Sequence, residues 1–328
     1  MSVAFILCVE KGYLEPQAIL LAESIRAWAG AMASSTILAY SPRSATTVPG
    51  ETKEALESLG VEVIADDLNR IDAAYPFANK IHACLDAESR VDADVLCFLD
   101  TDTVFIAEPT EVDLSAEHDL GVQPVVGKGQ ASTGEDDPDD HYWSGSHALC
   151  EVVPGRFVET MRDRTRIRGY YNAGLVCMRR DAGRATRWMD CFRRLKDAEH
   201  IHPRGISNLD QHALAMMAAD TEPRVEVLDW RYNHAIPQRA RFPEPLRSAS
   251  FNELVHLHYH RWFNVRDFLG RLEPPLERDD PRFRWLDERL PLLPEIEEEL
   301  QTAADGGRRS GQLRADRKQA KSRWRSGT

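Results

Sequence analysis

The stretch Val95-Leu-Cys-Phe-Leu-Asp-Thr-Asp-Thr-Val-Phe-Ile106 runs from five apolar residues into two carboxylates and back to apolar residues. A short apolar run bounded by polar residues reads as a strand buried on both faces. Asp100 and Asp102 then stand at its carboxyl end. Side chains two positions apart project to the same side, roughly 6–7 Å apart at the backbone. Carboxylates beside a core lose hydration, a cost that falls when something positive faces them. A divalent cation is the economical partner; the plainer reading is a turn or capping pair. Two further Asp-x-Asp matches, Asp92-Ala-Asp94 and Asp137-Pro-Asp139, lack this setting. The first precedes the strand and the second lies in an acidic loop, so both read as solvated surface.

Outward from this strand, short apolar runs alternate with helical patterns. Strands are expected at Val3–Val9, Thr36–Tyr40 and Val61–Ile64, with helices from about Glu15 to Ala29, over 51–59, and from Pro76 to about residue 90. Pro16 suits the first turn of the first helix. Strands spaced by helices imply an α/β fold with a mostly parallel, doubly wound central sheet flanked by helices. Ligands of such sheets bind beyond the carboxyl ends of the strands. That rule sets Glu10–Tyr13 and Asp100–Asp102 at one mouth. In the second half, Asp119–Val126, Asn172–Met178, Val225–Leu228 and Leu254–His258 read as strands. Helices are expected at 181–198, 207–218 and roughly 283–300. A polar loop with Gly127, Gly129 and the acidic run Glu135–Asp140 separates the first two of these strands. No internal repeat is present. The expected organisation is one large domain over 1–275, a helical segment over 276–300 and a basic tail over 301–328.

Of the 328 residues, 42% are hydrophobic and 29% charged, enough to build a sizeable core. Lys plus Arg number 41 against 53 Asp plus Glu, a net charge of −12. That balance argues against nucleic acid as a partner, because phosphate-backbone binding needs a basic face. No apolar stretch reaches membrane-spanning length. The apolar start lacks a basic leader and reads as a first strand rather than a signal peptide. The six cysteines (8, 84, 97, 150, 177 and 191) form no C-x-x-C pair. They read as small buried hydrophobes in a reducing compartment, and the cytoplasm is the expected address. Residues 301–328 carry eight basic and two acidic side chains, so the tail is +6 and the remainder −18. A solvated appendage is the plain reading. The other is weak peripheral contact with an anionic membrane surface, with Trp324 dipping in.

Three more segments carry chemistry. In Leu254-Val-His-Leu-His-Tyr-His-Arg-Trp-Phe263, a strand would turn His256, His258 and His260 to one side. Imidazole is a frequent ligand of Mn²⁺ or Zn²⁺, so at least one of the three is expected to bind metal. In Gly169-Tyr-Tyr-Asn-Ala-Gly174, Asn172 and Gly174 stand where a polar loop enters a strand. Glycine there permits close backbone approach and an amide can bond sugar hydroxyls, though a plain turn explains the spacing equally. In Ser207-Asn-Leu-Asp-Gln-His-Ala-Leu214, Ser207 or Asn208 can cap a helix whose first turn holds Asp210, which the helix dipole favours on structural grounds alone.

Taken in order, these pieces resemble the GT-A glycosyltransferases, and most closely family 8, the retaining group of glycogenin and bacterial lipopolysaccharide galactosyltransferases. The resemblance runs from about residue 3 to 265. Asp100-Thr101-Asp102 resembles the family's metal motif. Asn172-Ala-Gly174 is similar to its donor-sugar segment, and Asn208-Leu-Asp-Gln211 to its Asp-Gln motif beside the reacting sugar. Asp229-Trp-Arg-Tyr-Asn233 is similar to its aromatic-Asn segment, and Leu257-His-Tyr259 to the late strand whose histidine completes the metal site. The N-terminal strand ends in Glu10-Lys-Gly-Tyr13 where the family has an acidic-Asn-Tyr segment. His260-Arg-Trp262 stands where it has Gly followed by Lys-Pro-Trp.

The resemblance implies a metal-dependent hexosyltransferase. It would move a sugar from a nucleoside diphosphate donor, UDP-glucose or UDP-galactose by default, to a hydroxyl acceptor with retention. It assigns Asp100, Asp102 and His258 to Mn²⁺ (Mg²⁺ the second choice), and Asn172, Asp210 and Gln211 to the reacting sugar. Donor binding falls to Tyr13, Lys80, Asp100, Thr101, Gly174, His260 and Arg261. Tyr170, Tyr171, Trp230, Tyr232 and Trp262 are available for stacking on sugars. Three other readings use the same residues: a sugar-phosphate nucleotidyltransferase, a zinc hydrolase built on the three histidines, and a non-catalytic nucleotide-sugar-binding protein of the same fold.

Overall fold

The computed structural model describes residues 1–293. The basic tail at 301–328, and the part of the expected 283–300 helix beyond residue 293, lie outside the described residues. The first half runs β1 (Val3–Cys8), α1 (Leu14–Trp28), β2 (Thr36–Tyr40), α2 (Gly50–Ser58), β3 (Val61–Ile64), α3 (Asn79–Arg90) and β4 (Val95–Leu99). After the acidic pair come β5 (Thr103–Phe105), β6 (Leu120–Pro124), α4 (Asp140–Cys150), β7 (Phe157–Glu159), β8 (Arg166–Arg168) and β9 (Tyr171–Arg179). The chain closes with α5 (Arg184–Asp197), α6 (Leu209–Thr221), β10 (Val225–Val227), β11 (His234–Ala235), β12 (His256–His258) and α7 (Pro281–Asp287).

Seven strands form the central sheet in the order β10-β6-β9-β4-β1-β2-β3. All run parallel except β9, which is antiparallel to both β4 and β6. The all-apolar β1 lies inside it, Phe5 opposite Ile37 on one side and Cys97 on the other. Alternate residues of β1 serve opposite faces, as a period of two demands. Ala4 and Ile6 join the core under α3, α5 and α6, while Val3, Phe5 and Leu7 join that under α1 and α2. A third core gathers Phe251, Leu257, Tyr259 and Phe263 with Leu276, Phe283 and Leu286.

A small sheet, ordered β11-β12-β5, sets up the site. Because β5 follows Asp102 at once, its antiparallel partner β12 places His258 opposite Thr103. The late strand is shorter than expected and ends at His258, so His260 is not on it. The stretch read as a polar loop contains α4, which buries Tyr142, Trp143, Ser146, His147 and Cys150 on one face. Five cysteines are buried and Cys8 is half-buried, all six free. Among the described residues no helix is long and apolar enough to cross a membrane.

Candidate active site

The backbone beyond β4 is tied down on both sides. The Asp100 N–H donates to the Gly174 carbonyl at 2.9 Å, and Thr103 Oγ1 donates to the Asp100 carbonyl at 2.6 Å. Between them the two carboxylates diverge in partner. Asp100 Oδ1 accepts from Lys80 Nζ at 2.9 Å, and the same ammonium lies 3.4 Å from Asp210 Oδ2 and 3.3 Å from the Ala173 carbonyl oxygen. Asp210 also accepts from Tyr75 OH at 2.7 Å. Burial would favour a neutral Lys80, but the flanking carboxylates outweigh it and hold the ammonium charged. Burial raises the Asp210 carboxyl despite Lys80 and Tyr75, since one cation shared by two anions leaves a negative surplus in the more enclosed group.

Asp102 faces the other way. Its Oδ1 lies 3.3 Å from His258 Nε2 and its Oδ2 3.7 Å from His260 Nδ1. Burial alone would raise the carboxyl, but the two imidazoles reverse that and hold it well below the usual carboxylate range. His258 is buried, which disfavours its charge, yet the adjacent Asp102 raises its pKa. One ligand atom from each of Asp102, His258 and His260 lies within 4.8 Å of the other two.

The orientation of His258 is fixed from behind by a relay. The Gly174 N–H, which can only donate, bonds Asn172 Oδ1 at 2.8 Å. Asn233 Nδ2 donates to that oxygen at 2.9 Å, which turns Asn233 Oδ1 toward His258 Nδ1, also at 2.9 Å. His258 therefore donates from Nδ1 and turns Nε2 toward Asp102, where a proton or a cation has to stand between the two. The relay needs glycine at 174, because a Cβ there would stand 2.8 Å from Asn172 Oδ1 and 2.9 Å from His258 Cε1. His256, expected on the same side, does not join. It is buried against Phe105, its Nδ1 accepts from the Asn233 N–H, and burial holds it neutral.

Asp100, Asp102, Lys80 and His260 line a cleft of about 580 Å³ at the strand ends, together with Glu10, Tyr13, Arg43, Thr101 and Arg261, whereas His258, Asp210, Asn172 and Gly174 lie behind that lining. Tyr13 is 60% exposed at its rim. Glu10 is paired with Arg43, and Thr46 Oγ1 donates to it at 2.6 Å. Burial pushes Glu10 up, but these bonds hold it below its ordinary value. Sequence reasoning missed Arg43, Tyr75 and the work of Asn233. Arg43 had a signal in its place just past the end of β2, where strand-end ligands bind. Thr101 is buried, its hydroxyl 3.4 Å from Gln17 Oε1. Gln211, beside Asp210, keeps Oε1 without a hydrogen-bond partner among the described residues. Tyr170, Tyr171 and Tyr232 are buried to 2% or less, so their rings pack the core and are not open to sugars. Trp262 is 40% exposed.

A family model described as the Rhodobacterales glycosyltransferase domain matches residues 5–222. Sequence comparison with curated proteins finds no match. Among solved structures, the galactosyltransferase LgtC in complex with donor and acceptor sugar analogues is 16% identical, with a TM-score of 0.52 over 89% of this chain and 98% of that one. The bifunctional WbbM glycosyltransferase is 14% identical, with a TM-score of 0.51 over 88% of this chain. This chain spans only 52% of WbbM. At such identities the likeness is one of fold, and both are similar over most of the described residues. The family match favours the glycosyltransferase reading over the nucleotidyltransferase and hydrolase ones. With GT-A architecture in the sheet and the family's domain matched over residues 5–222, more than half of its length, this chain belongs to the Rhodobacterales glycosyltransferase domain family and is a glycosyltransferase.

Proposed function

We propose that the enzyme transfers a hexosyl group from a nucleoside diphosphate donor, UDP-glucose or UDP-galactose, to a hydroxyl acceptor, with retention and with a divalent cation. The observation that carries this reading is the convergence of Asp102, which lines the strand-end cleft, with the buried His258. The residues fit a cation: a carboxylate oxygen faces an imidazole whose other nitrogen is committed to Asn233, the backing that metal-bound histidines require. An imidazole in the set favours Mn²⁺ over Mg²⁺. Asp102 and His258 would hold the ion, whereas Asp100 is turned to Lys80. Such an ion supplies Lewis acidity that offsets charge on the departing diphosphate.

The chain's own residues account for the rest. Tyr13 offers an exposed ring at the rim for a nucleobase. Lys80, kept charged, and Arg261 both line the cleft and would set positive potential where the diphosphate lies. Asp210 fixes Lys80 and Tyr75 on the sugar side, and Gln211 has an unpaired amide oxygen to accept from a sugar hydroxyl. Asn172 and Gly174 shape the wall through the relay to His258. Retention and the UDP preference rest on the family 8 resemblance of the motifs.

Calorimetry with UDP-sugars, with and without Mn²⁺, tests the reading. Wild-type protein is expected to bind donor only with Mn²⁺, and Asp102→Asn to lose that binding. Equal donor affinity in the variant would remove Asp102 from the site. NMR of the product anomer reads stereochemistry separately, and an inverted product would refute retention.

A further inference from the structure

Two histidines and one carboxylate meet at this site where a pair of aspartates and one histidine were expected. We infer that His260 is a direct ligand, so that the cation site is Asp102, His258 and His260, and that Asp100 is not a ligand but the anchor of Lys80. The inference rests on the proposal that the cleft takes a divalent cation.

Four observations carry it. First, each oxygen of Asp102 is faced by a different imidazole, at 3.3 Å and 3.7 Å, and the ligand atoms of all three residues lie within 4.8 Å of one another. Second, the two rings are only 4.0 Å apart between centroids. Rings so close can each turn one nitrogen toward a single shared ion. Third, His260 sits at φ +53°, a left-handed conformation that glycine adopts freely and a branched or ring-bearing residue adopts at a cost of order 1 kcal/mol. That backbone turn swings its ring back over His258 from beyond the end of β12. Fourth, Asp100 is bonded at 2.9 Å by an ammonium that is itself buried, and a cation on Asp100 would have to sit against that charge. Three protein ligands on one side leave coordination positions open toward the cleft, as two-histidine, one-carboxylate sites do. His260 lines that cleft and is 40% exposed at its side chain, so an ion reaches the site from solvent. A site with two imidazoles selects Mn²⁺ or Co²⁺ strongly over Mg²⁺.

The test titrates Mn²⁺, Co²⁺ and Mg²⁺ alone, without nucleotide, into the full chain by calorimetry, and counts imidazole nitrogens on bound Mn²⁺ by pulsed electron paramagnetic resonance. His260→Gly keeps the backbone conformation and removes only the ring. It is expected to weaken Mn²⁺ and Co²⁺ about ten- to a hundredfold and to reduce two coupled imidazoles to one. Asp100→Asn is expected to stay within about threefold of wild type, below the half-decade that one lost ligand would exceed. One imidazole on the wild-type ion, an unchanged affinity in His260→Gly, or a loss in Asp100→Asn as large as in His260→Gly would each overturn the inference while leaving the cation reading intact. Wild-type protein that takes up no ion alone and none with UDP would overturn both.

Discussion

Lys80 shows how one side chain can organise acids that serve different ends. Its ammonium stands between Asp100 and Asp210, 2.9 Å and 3.4 Å away, with only 8% of its side chain exposed. Removing one member of such a buried set leaves uncompensated charge, at a cost of about 3–5 kcal/mol. Lys80→Met is therefore expected to lose that much unfolding free energy in a urea titration; a loss below about 1 kcal/mol would mean that solvent already screens the pair. Asn233 works at the same scale. It sits at φ +48°, so Asn233→Gly keeps the backbone and deletes only the amide that holds His258. Mn²⁺ affinity should fall about ten- to a hundredfold, the usual effect of losing a partner behind a metal-bound histidine, while the unfolding midpoint stays close to wild type.

Among the elements, β9 decides whether the site closes. Its register against β6 skips from Val176 opposite Val122 to Asn172 opposite Gln123, so Ala173–Leu175 bulge out of that pairing. A bulge re-aims side chains locally, and this one carries Gly174 against His258 and turns its carbonyl to the Asp100 N–H. Gly174→Ala would force β12 away from β9. The expected outcome is a destabilisation of about 1–3 kcal/mol, as for other overpacked positions, together with loss of Mn²⁺-dependent donor binding in the same calorimetric assay. Retained donor binding would show that β12 can shift without opening the site.

At the scale of the whole molecule, buried neutral histidines set the response to acid. Burial lowers His212 to about 3, with Tyr142 OH at 2.8 Å from its Nδ1, and lowers His234 to about 4. In the unfolded chain both rings titrate near 6.5. Below that pH the unfolded state takes up protons that the folded state refuses, so stability is full above about 6.5 and declines as pH falls toward 4. Each ring contributes a slope of about 1.4 kcal/mol per pH unit in that window. The thermal unfolding midpoint should therefore drop between pH 7 and pH 5, and His212→Phe should flatten the drop by the share of that one ring, with His234 and the neutral His256 keeping the rest. An equal drop in wild type and His212→Phe would show that this ring is not held neutral in the fold.

What could be read from the chain alone was local. Thr36–Tyr40, Val61–Ile64 and Val95–Leu99 are strands at the expected residues, because each apolar run ends abruptly in polar residues and its burial needs no distant partner to specify it. The strand-end rule then put Asp100–Asp102 at a ligand-binding edge before any contact was known. Helix α4 escaped, because its buried face is built partly of Ser146 and His147, which disguise the apolar period. The partners of the acids escaped as well. Lys80 meets Asp210 across 130 positions of sequence, and the order Gly174–Asn172–Asn233–His258 links three separate segments. Residue type and spacing announce that a carboxylate at a strand end needs a positive neighbour. Which neighbour it receives depends on how the sheets fold back on one another, and only the tertiary structure gave Lys80 to Asp100 and the two imidazoles to Asp102.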